Sequence, residues 1–539
     1  MSSAGSGEKV QTVLTEMRTT LTNSAADEAI PMGKDEQTRR WRIAAALSVL
    51  TFVLCYLRNF VLFHTPVMLW GDQLLYATNG ARMISGQMPY RDFFELMPAG
   101  TDLVYFLLFH LFGIRLWIPN LLMDCLAATA VLLTTLAAGS ILRGRSVWAP
   151  GLLAVGLGLF GGLDATHHWF STVATLAAVV VLLRGVTLPR VAVGGLLCGI
   201  AASFTQSKGA LVTAGFLIYL VWRSRRAGLP TRTAWIRCVL LCATALASFL
   251  AINVDYMQQL GLREWWRWVF VFPLRFYSTT PGQDWRSPLV DLGSHPGLLK
   301  WAVAAFLYLV VPLVYAVLLL SLKLKRVPRQ VSDGLVLIAI IGLAMFLGIA
   351  PSLSMMRASA VCFPATILLA WLISQSSGWL RLFGRMAVVL SFAMALLLAI
   401  RQQTMHWYSL TLPAGRTAIS DRQKYELYLW MAEHTRPGDP YLGIAAMSLP
   451  LGLQTPGPIQ APGPWEYYRP EHVDRSIRAM EIYRIPLLVL IPLSFYEAFP
   501  REPRYGENHF FAYDQYVRQH YHRVKEFSST AEVWQRNDR

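Results

Sequence analysis

Long apolar runs alternate with short polar segments along the first 400 residues of the chain. The hydrocarbon core of a bilayer is about 30 Å thick and needs about 20 apolar residues per helix, or fewer where protein shields or thins the bilayer. Eleven runs meet this requirement and predict transmembrane helices. They cover residues 43–63, 116–142, 147–163, 169–183, 191–205, 209–222, 238–254, 299–322, 334–350, 358–373 and 386–400.

Basic residues between these runs set the predicted orientation. They cluster at 143–145, 184–190, 223–237, 323–329 and 381–385. If all five clusters face the cytoplasm, as the positive-inside rule favours, the eleven helices alternate without conflict and the C-terminus lies outside. We therefore expect a cytoplasmic tail at 1–42, a membrane domain at 43–400 with a first outer loop at 64–115, and an extracytoplasmic domain at 401–539.

This alternation constrains two apolar stretches. Leu103–Phe112 cannot cross and is expected to lie along, or dip into, the outer surface. The run at 191–222 has to cross twice and turn at "FTQSK". Each half has about 14 residues and would span only about 21 Å, so Lys208 is expected in a recess below the outer membrane surface. A charge at such depth is costly, which makes Lys208 a candidate site residue.

The final block predicts a small α/β domain. Its segments "YELYLWMAEHTRPGD", "PYLGIAA", "RIPLLVLI" and "FAYDQYVRQHYHRVKEF" read as helix, strand, strand and helix, with a Pro/Gly-rich loop before the second strand. The predicted fold class is thus an α-helical polytopic membrane protein with about eleven transmembrane helices and a small outward-facing α/β C-terminal domain.

Composition agrees with a membrane protein. Of 539 residues, 54% are hydrophobic and only 15% are charged, and the mean hydropathy is +0.40. The net charge of +16 does not indicate nucleic acid, because the basic residues of the apolar part lie in its short loops. All six cysteines fall in apolar runs, which argues against a disulfide framework. The first 42 residues are polar and precede a full-length run, so that run is expected to remain as a signal anchor.

The first outer loop carries the densest polar chemistry, within "WGDQLLYATNGARMISGQMPYRDFFE" at 70–95. Helical periodicity places Asp72, Tyr76, Asn79 and Met83 on one face. An acid, a phenol and an amide on one face suggest contact with a polar ligand rather than with lipid.

The segment that follows, "PYRDFFELMPAG", contains two prolines and cannot form one regular helix. We expect it to cross the mouth of the helix bundle and to present Arg91, Asp92 and Glu95 there.

These motifs resemble those of a known superfamily. A "GDQ" at the end of the first span, then "ARMISGQMPYRDFFELMPAG" and an apolar helix closing on "FG", resemble the GT-C glycosyltransferases. The nearest branch is that of the protein O-mannosyltransferases and the aminoarabinose–lipid A transferases. The resemblance implies an enzyme that takes a sugar from a polyprenyl phosphate and passes it to an acceptor on the outer face of the membrane.

The resemblance assigns roles to single residues. Asp72 matches the family's catalytic acid, and Tyr76 matches a tyrosine that follows it. Asp164 stands where the family has a second acid. Lys208 in "QSKG" resembles a lysine that approaches the donor phosphate, and Arg357 resembles an arginine near the same place.

Two departures from the family pattern matter. Gln73 replaces the usual second acid of "DE", which makes a bound metal less expected, so we predict no metal and no other cofactor. The chain reads "ELMP" where a common "EKPP" element has a lysine, which leaves a gap in the phosphate-binding set.

The chemistry fits these residue types independently of the resemblance. A departing lipid phosphate needs cations, which Lys208, Arg357 and Arg91 supply. An acceptor hydroxyl needs a base, and an aspartate with an ordinary pKa of about 3.9 is ionised at neutral pH. A single displacement with inversion needs one such base, assigned to Asp72, and no covalent nucleophile. The remaining loop residues are predicted to bind substrate: Tyr76, Asn79, Arg91, Asp92 and Glu95.

Plainer interpretations stay open for several residues. Asp72 and Asp164 also suit helix caps, and Lys208 also suits a side chain that snorkels to the outer headgroups. His167 and His168 read more simply as interfacial polar residues. The aromatic run at 263–277 reads as an interfacial belt.

Two other functional classes compete with the transferase. A transporter or lipid flippase would usually place ionisable residues at the midplane, often in repeated halves, whereas this chain concentrates them in outer turns and shows no repeat. A non-catalytic scaffold is favoured only by Gln73. We expect a multi-pass protein of the bacterial inner membrane. Its expected partners are a polyprenyl-phosphate-linked sugar donor and a lipid, glycan or protein acceptor.

Overall fold

The structure is a computed structural model. It describes residues 34–61, 63–69, 71–159, 163–276, 297–323, 329–350, 353–460, 463, 468–491, 510–528 and 531–538. Most of the predicted N-terminal tail and of the basic cluster at 323–329 lies outside these residues.

Helices occupy each region where a span is predicted. In chain order, the helices up to residue 404 are α1 (Lys34–Asn59), α2 (Asp72–Ile84), α3 (Gly100–Phe112), α4 (Trp117–Gly139), α5 (Trp148–Leu153), α6 (His167–Leu183), α7 (Leu188–Phe204), α8 (Gln206–Arg226), α9 (Thr231–Leu260), α10 (Leu262–Trp266), α11 (Phe272–Phe276), α12 (Leu298–Ala305), α13 (Val311–Lys323), α14 (Arg329–Leu347), α15 (Met355–Val361), α16 (Phe363–Gln375) and α17 (Gly378–Thr404). Single π-helical turns continue α5, join α10 to α11, and join α12 to α13.

Among the described residues, five helices are long and apolar enough to cross a membrane: α1, α4, α9, the continuous pair α12–α13, and α17. The pair α15 and α16 adds a sixth candidate that is bent by 63°. Four further apolar helices, α3, α6, α7 and α14, are shorter. The protein is therefore an integral membrane protein, and the count of eleven crossings remains a prediction.

The turn predicted within the run at 191–222 is present. Thr205 alone separates α7 from α8, and the two helices pack against each other. They have 17 and 21 residues, however, and are longer than the predicted halves of about 14. Helix α8 extends beyond the predicted run 209–222 at both ends, by three residues at its start and by four at its arginine-rich end.

The C-terminal domain begins directly after α17. A hairpin of β3 (Tyr408–Leu412) and β4 (Gly415–Ile419) comes first, followed by α18 (Arg422–His434), α19 (Ala445–Leu451) and α20 (Pro470–Ile482). An antiparallel sheet in the order β5 (Leu487–Leu490), β7 (Ala531–Arg536) and β6 (Tyr521–Ser528) then packs with α21 (Phe511–His520). The predicted mixture of helices and strands is confirmed.

Two details of that prediction are wrong. The segment "PYLGIAA" is not a strand: it contributes one isolated bridge from Pro440 to Gln454 and then enters α19. All residues of α19 are buried, so its apolar run lacks the helical period that distinguishes a helix from a buried strand. The final predicted helix ends at His520 and continues as β6, because that segment pairs with β7.

The first outer loop and the C-terminal domain are joined by backbone pairing. A short hairpin, β1 (Phe60–Val61) with β2 (Thr65–Pro66), follows α1. Beyond it, Met68 N donates to Ala418 O at 2.8 Å, and Thr417 Oγ1 donates to Pro66 O at 3.0 Å. The domain therefore lies against the loop that carries the predicted site.

Candidate functional site

Helix α2 begins at Asp72, as its polar face predicts, and ends at Ile84. Gly71 before it has φ of 98°, a conformation that glycine adopts without steric cost. This turn places Asp72 in the first helical turn, where the helix dipole favours a negative charge.

The polar face of α2 points into the protein. Tyr76 and Asn79 are buried, Met83 is half-buried, and Asp72 at the start of the helix is exposed. The predicted face therefore exists, with its acid at the accessible end and its phenol and amide inside.

A turn between α5 and α6 brings Asp164 to this face. The backbone N–H of Ala165 donates to Gln73 Oε1 at 3.1 Å, and the Tyr105 hydroxyl donates to the Ala165 carbonyl at 3.0 Å. Gln73 thus anchors the turn that carries Asp164. Asp164 itself is only 8% exposed and lies close enough to Asp72 for their charges to interact.

The two acids differ in their environments. Burial, and secondly the charge of Asp72, raise the pKa of Asp164 to about 7. Surrounding protein also raises the pKa of Asp72 although its side chain is accessible, and the Arg357 guanidinium counteracts that rise. Arg357 thus favours the carboxylate form of Asp72, while Asp72 favours the protonated form of Asp164.

Two basic side chains lie in this part of the protein, and one of them, Arg357, is close enough to Asp72 for their charges to interact. Lys208, in the first turn of α8, is fully buried, and its Nζ donates to the His168 carbonyl at 3.1 Å. Arg357 lies on α15, whose N-cap residue Ser354 accepts a hydrogen bond from the Arg357 backbone. The two cations interact electrostatically with each other, and Arg357 also does so with Asp72.

A pair of histidines completes this site. The sequence alone indicates only interfacial polar residues at these two positions. His167 and His168 are both buried, and their ring centroids are 3.9 Å apart. The Tyr76 hydroxyl lies 2.7 Å from His167 Nδ1, and both cations act on the pair electrostatically. The signal available in the sequence was their position directly after the Asp164 turn. We call Asp72, Tyr76, Asp164, Lys208 and Arg357, together with these histidines, the central site.

Glu95 is not presented at the mouth of the bundle, contrary to expectation. It is 5% exposed and accepts hydrogen bonds from Asn79 Nδ2 at 2.9 Å and from the backbone of Leu96 and Met97. The same amide nitrogen of Asn79 donates to Asp102 on α3 at 3.1 Å. Buried polar groups are nearly always hydrogen-bonded. Glu95 lies inside the protein because Asn79, which also contacts Asp102, is its hydrogen-bond partner there.

Glu95 and Asp102 lie close enough for each to affect the protonation of the other. Burial raises the pKa of Glu95 to about 7, and burial together with the Glu95 charge holds the pKa of Asp102 well above its ordinary value. Helices α2 and α3 approach closely here, since a Cβ atom at Gly80 would lie 2.6 Å from Tyr105 Cβ. The geometry gives Glu95 and Asn79 a part in fixing α2 on α3, and their predicted contact with substrate stays a prediction.

Arg91 and Asp92 lie where the first outer loop contacts the C-terminal domain. Arg91 NH2 donates to Asp92 Oδ2 at 2.8 Å, and their side chains are 50% and 33% exposed. Asp92 also accepts from the Met88 backbone, and Arg475 of α20 donates to the Arg91 carbonyl. Burial raises the pKa of Asp92, but Arg91 and the Met88 N–H outweigh it and lower the pKa overall. These contacts order the loop, and the predicted substrate binding by both residues stays a prediction.

Arg82 is a further residue that the sequence did not single out. It is buried, stacks over the Phe93 ring at 4.6 Å, donates from Nε to Gln87 at 2.7 Å, and donates from NH2 to the Gly457 carbonyl at 2.9 Å. A planar guanidinium is suited to such simultaneous contacts. Arg82 therefore connects α2 to the C-terminal domain.

The aromatic run predicted as an interfacial belt forms a helix with two faces. Trp265 and Phe272 are buried, while Trp266 and Leu274 are 53% and 81% exposed. Phe272 lies 5.5 Å from the Phe94 ring of the first outer loop. The belt thus also supports the loop from one side.

Among the described residues, no group of three or more His, Cys, Asp and Glu side chains is arranged to hold a metal ion. The central site combines the acids Asp72 and Asp164 with the basic side chains of Lys208 and Arg357. Such a site can accept a proton at a carboxylate and can stabilise a phosphate at the cations.

Comparison with family models and with curated proteins finds no match. Among solved structures, the chain is similar to ArnT from Cupriavidus metallidurans bound to undecaprenyl phosphate, with a TM-score of 0.55 and 14% identity over 91% of this chain and 97% of that one. It is less similar to the apo form of an Archaeoglobus fulgidus oligosaccharyltransferase, with a TM-score of 0.46 and 12% identity over 83% of this chain and 69% of that one. The chain therefore has the same fold as ArnT, which is the fold expected from the motifs of the first outer loop.

Proposed function

We propose that the protein is a membrane glycosyltransferase that moves a monosaccharide from a polyprenyl-phosphate donor to an acceptor on the extracytoplasmic face. The observation that carries this proposal is the meeting of Asp72 with Lys208 and Arg357 at one site of a GT-C fold. ArnT, which has this fold, binds undecaprenyl phosphate. The buried Lys208 and the half-buried Arg357 are suited to bind a lipid phosphate, and the accessible carboxylate of Asp72 is suited to accept a proton.

The reaction is a single displacement with inversion at the anomeric carbon. Asp72 accepts the proton of the acceptor hydroxyl, whose oxygen forms the new bond to that carbon. The bond from the anomeric carbon to the phosphate oxygen breaks, and the lipid phosphate leaves with its electron pair. Lys208 and Arg357 stabilise the charge that develops on the phosphate. Asp164 accepts a hydrogen bond from the Thr166 hydroxyl at 3.5 Å, and its pKa of about 7 leaves it partly protonated near neutral pH.

Location follows from the same proposal. The protein lies in the bacterial inner membrane, with its C-terminal domain and first outer loop on the extracytoplasmic side and its arginine-rich loops inside. Transfer proceeds without a metal cofactor, using only side chains of the chain.

The test is transfer from a radiolabelled polyprenyl-phosphate monosaccharide in proteoliposomes that contain the purified protein and a membrane extract as acceptor source. Label should move to an acceptor, and EDTA should leave the rate unchanged. Movement of intact donor between leaflets without transfer would instead identify a flippase. Deletion of the gene should cause the unmodified acceptor to accumulate.

A further inference from the structure

The histidine pair of the central site has hydrogen-bonding capacity that the protein does not use. Three of its four ring nitrogens, His167 Nε2 and both nitrogens of His168, are buried and have no hydrogen-bond partner among the described residues. The two side chains are only 5% and 6% exposed. A buried polar group without a partner costs about 1–3 kcal/mol, so this concentration at one place indicates a missing ligand.

The Tyr76 contact indicates what kind of ligand His167 takes. The Tyr76 hydroxyl lies 2.7 Å from His167 Nδ1. When the phenol donates to Nδ1, the neutral imidazole carries its proton on Nε2, which then is a hydrogen-bond donor. The unpartnered atom of His167 is thus set up to donate.

The neighbouring charges select an anion. Lys208 and Arg357 both act electrostatically on His167 and His168. Two cations next to N–H donors favour an acceptor that carries negative charge, and a phosphate oxygen combines both properties. A neutral molecule at these positions would gain less from the two nearby basic side chains than an anion does.

The backbone of the pair is held in place by the turn between α7 and α8. Thr205 Oγ1 donates to the His167 carbonyl at 3.3 Å, and Lys208 Nζ donates to the His168 carbonyl at 3.1 Å. These two hydrogen bonds fix the backbone of both histidines and hold Lys208 directly beside His168. Such preorganisation is what makes donors effective against a localised charge.

We propose that His167 and His168 bind the phosphate of the polyprenyl-phosphate donor as neutral hydrogen-bond donors beside Lys208. They supply phosphate-binding groups that the chain lacks where it reads "ELMP" in place of a lysine-containing element. This inference rests on the proposed function and adds two binding residues to it.

The test measures binding of undecaprenyl phosphate alone, as a concentration-dependent rise in melting temperature in detergent, and donor KM and kcat in the transfer assay. His167→Phe and His168→Phe keep ring volume but remove the nitrogens, and each should weaken binding roughly 10- to 100-fold. His167→Gln restores an N–H donor and should recover most of the loss. His110→Leu, on the exposed face of α3, is the control and should behave as wild type.

The outcomes separate this inference from the proposed function. Wild-type protein that neither binds undecaprenyl phosphate nor transfers sugar overturns both. If the wild type and both phenylalanine variants bind the lipid phosphate equally well, only the role of the histidines is overturned. If a phenylalanine variant does not fold, two other variants are compared: His167→Gln, and Tyr76→Phe combined with His167→Leu. His167→Gln should bind undecaprenyl phosphate more tightly than the double variant. Equal binding by the two would also overturn the role of the histidines in phosphate binding.

Discussion

The Tyr76 hydroxyl on α2 lies 2.7 Å from Nδ1 of His167, the first residue of α6. This contact joins the first outer loop to the helix bundle. Asp72 lies one helical turn before Tyr76 and interacts with Arg357 of α15, which in turn interacts with the buried Lys208 of α8. The acid and the cations therefore belong to one site, although Lys208 follows Asp72 by 136 residues and Arg357 follows it by 285.

Replacing the proposed base tests the mechanism. Asp72→Asn keeps the size and hydrogen-bonding capacity of the side chain but removes its ability to accept a proton. Turnover should fall about 10²- to 10⁴-fold while the donor still binds. Turnover and donor affinity in detergent provide the measurement. Near-normal turnover of Asp72→Asn, with Asp164→Asn inactive, would move the base to Asp164.

The raised pKa of Asp164 predicts a pH-dependent effect on stability. Its folded-state pKa of about 7 exceeds the value of about 3.9 in an unfolded chain. The folded state therefore holds this proton more tightly, and the stability that it contributes is complete below about pH 4 and is lost as pH rises through about 7. Asparagine does not ionise, so a variant with asparagine at this position does not lose this stability at high pH.

Asp164→Asn should accordingly raise the melting temperature relative to wild type more at pH 8 than at pH 5. Comparing variant with wild type at each pH removes the contribution of other titrating groups, including Glu95 and Asp102. The same difference in melting temperature at both pH values would contradict the raised pKa.

Lys208→Met removes a fully buried cation from the central site. Donor KM should rise, and kcat/KM should fall by roughly 10²-fold or more, because one charged contact to a phosphate is lost. Lys525→Met, at an exposed position on β6, is a matched control for loss of a lysine and should leave the kinetics unchanged. Unchanged donor kinetics in Lys208→Met would mean that this side chain has only a structural role.

Arg82→Lys tests the connection between α2 and the C-terminal domain. An ammonium group cannot replace the contacts of Arg82 to Gln87, Gly457 and the Phe93 ring together. We expect a loss of about 1–3 kcal/mol of stability. Arg91→Lys, whose side chain is 50% exposed, should change stability little, and an equal loss in both variants would argue against a special role of Arg82.

Topology is tested with single cysteines in a background that lacks the six native ones. Thr231→Cys at the start of α9 and Ser420→Cys after β4 are both exposed positions. A membrane-impermeant thiol reagent should label Ser420→Cys from outside in spheroplasts and Thr231→Cys only after lysis. Labelling of both from the same side would contradict the eleven-span arrangement.

The sequence by itself determined where the apolar helices lie and where the helix that carries Asp72 begins. Apolar runs must hide their backbone polar groups in helices, so their positions follow from composition alone. The helix that begins at Asp72 follows from periodicity over its own residues, and the turn at Thr205 follows from the length of one apolar run. These features depend on interactions within single segments.

Only the tertiary structure decided which polar residues meet. Glu95 turns inward because Asn79 and Asp102 from two other helical turns satisfy it, and Arg91 faces outward because its partner is the adjacent Asp92. His167 joins the site because α2 delivers a phenol to it. Burial, and the pKa changes that follow from it, depend on segments far apart in the chain, so periodicity and local composition cannot reveal them.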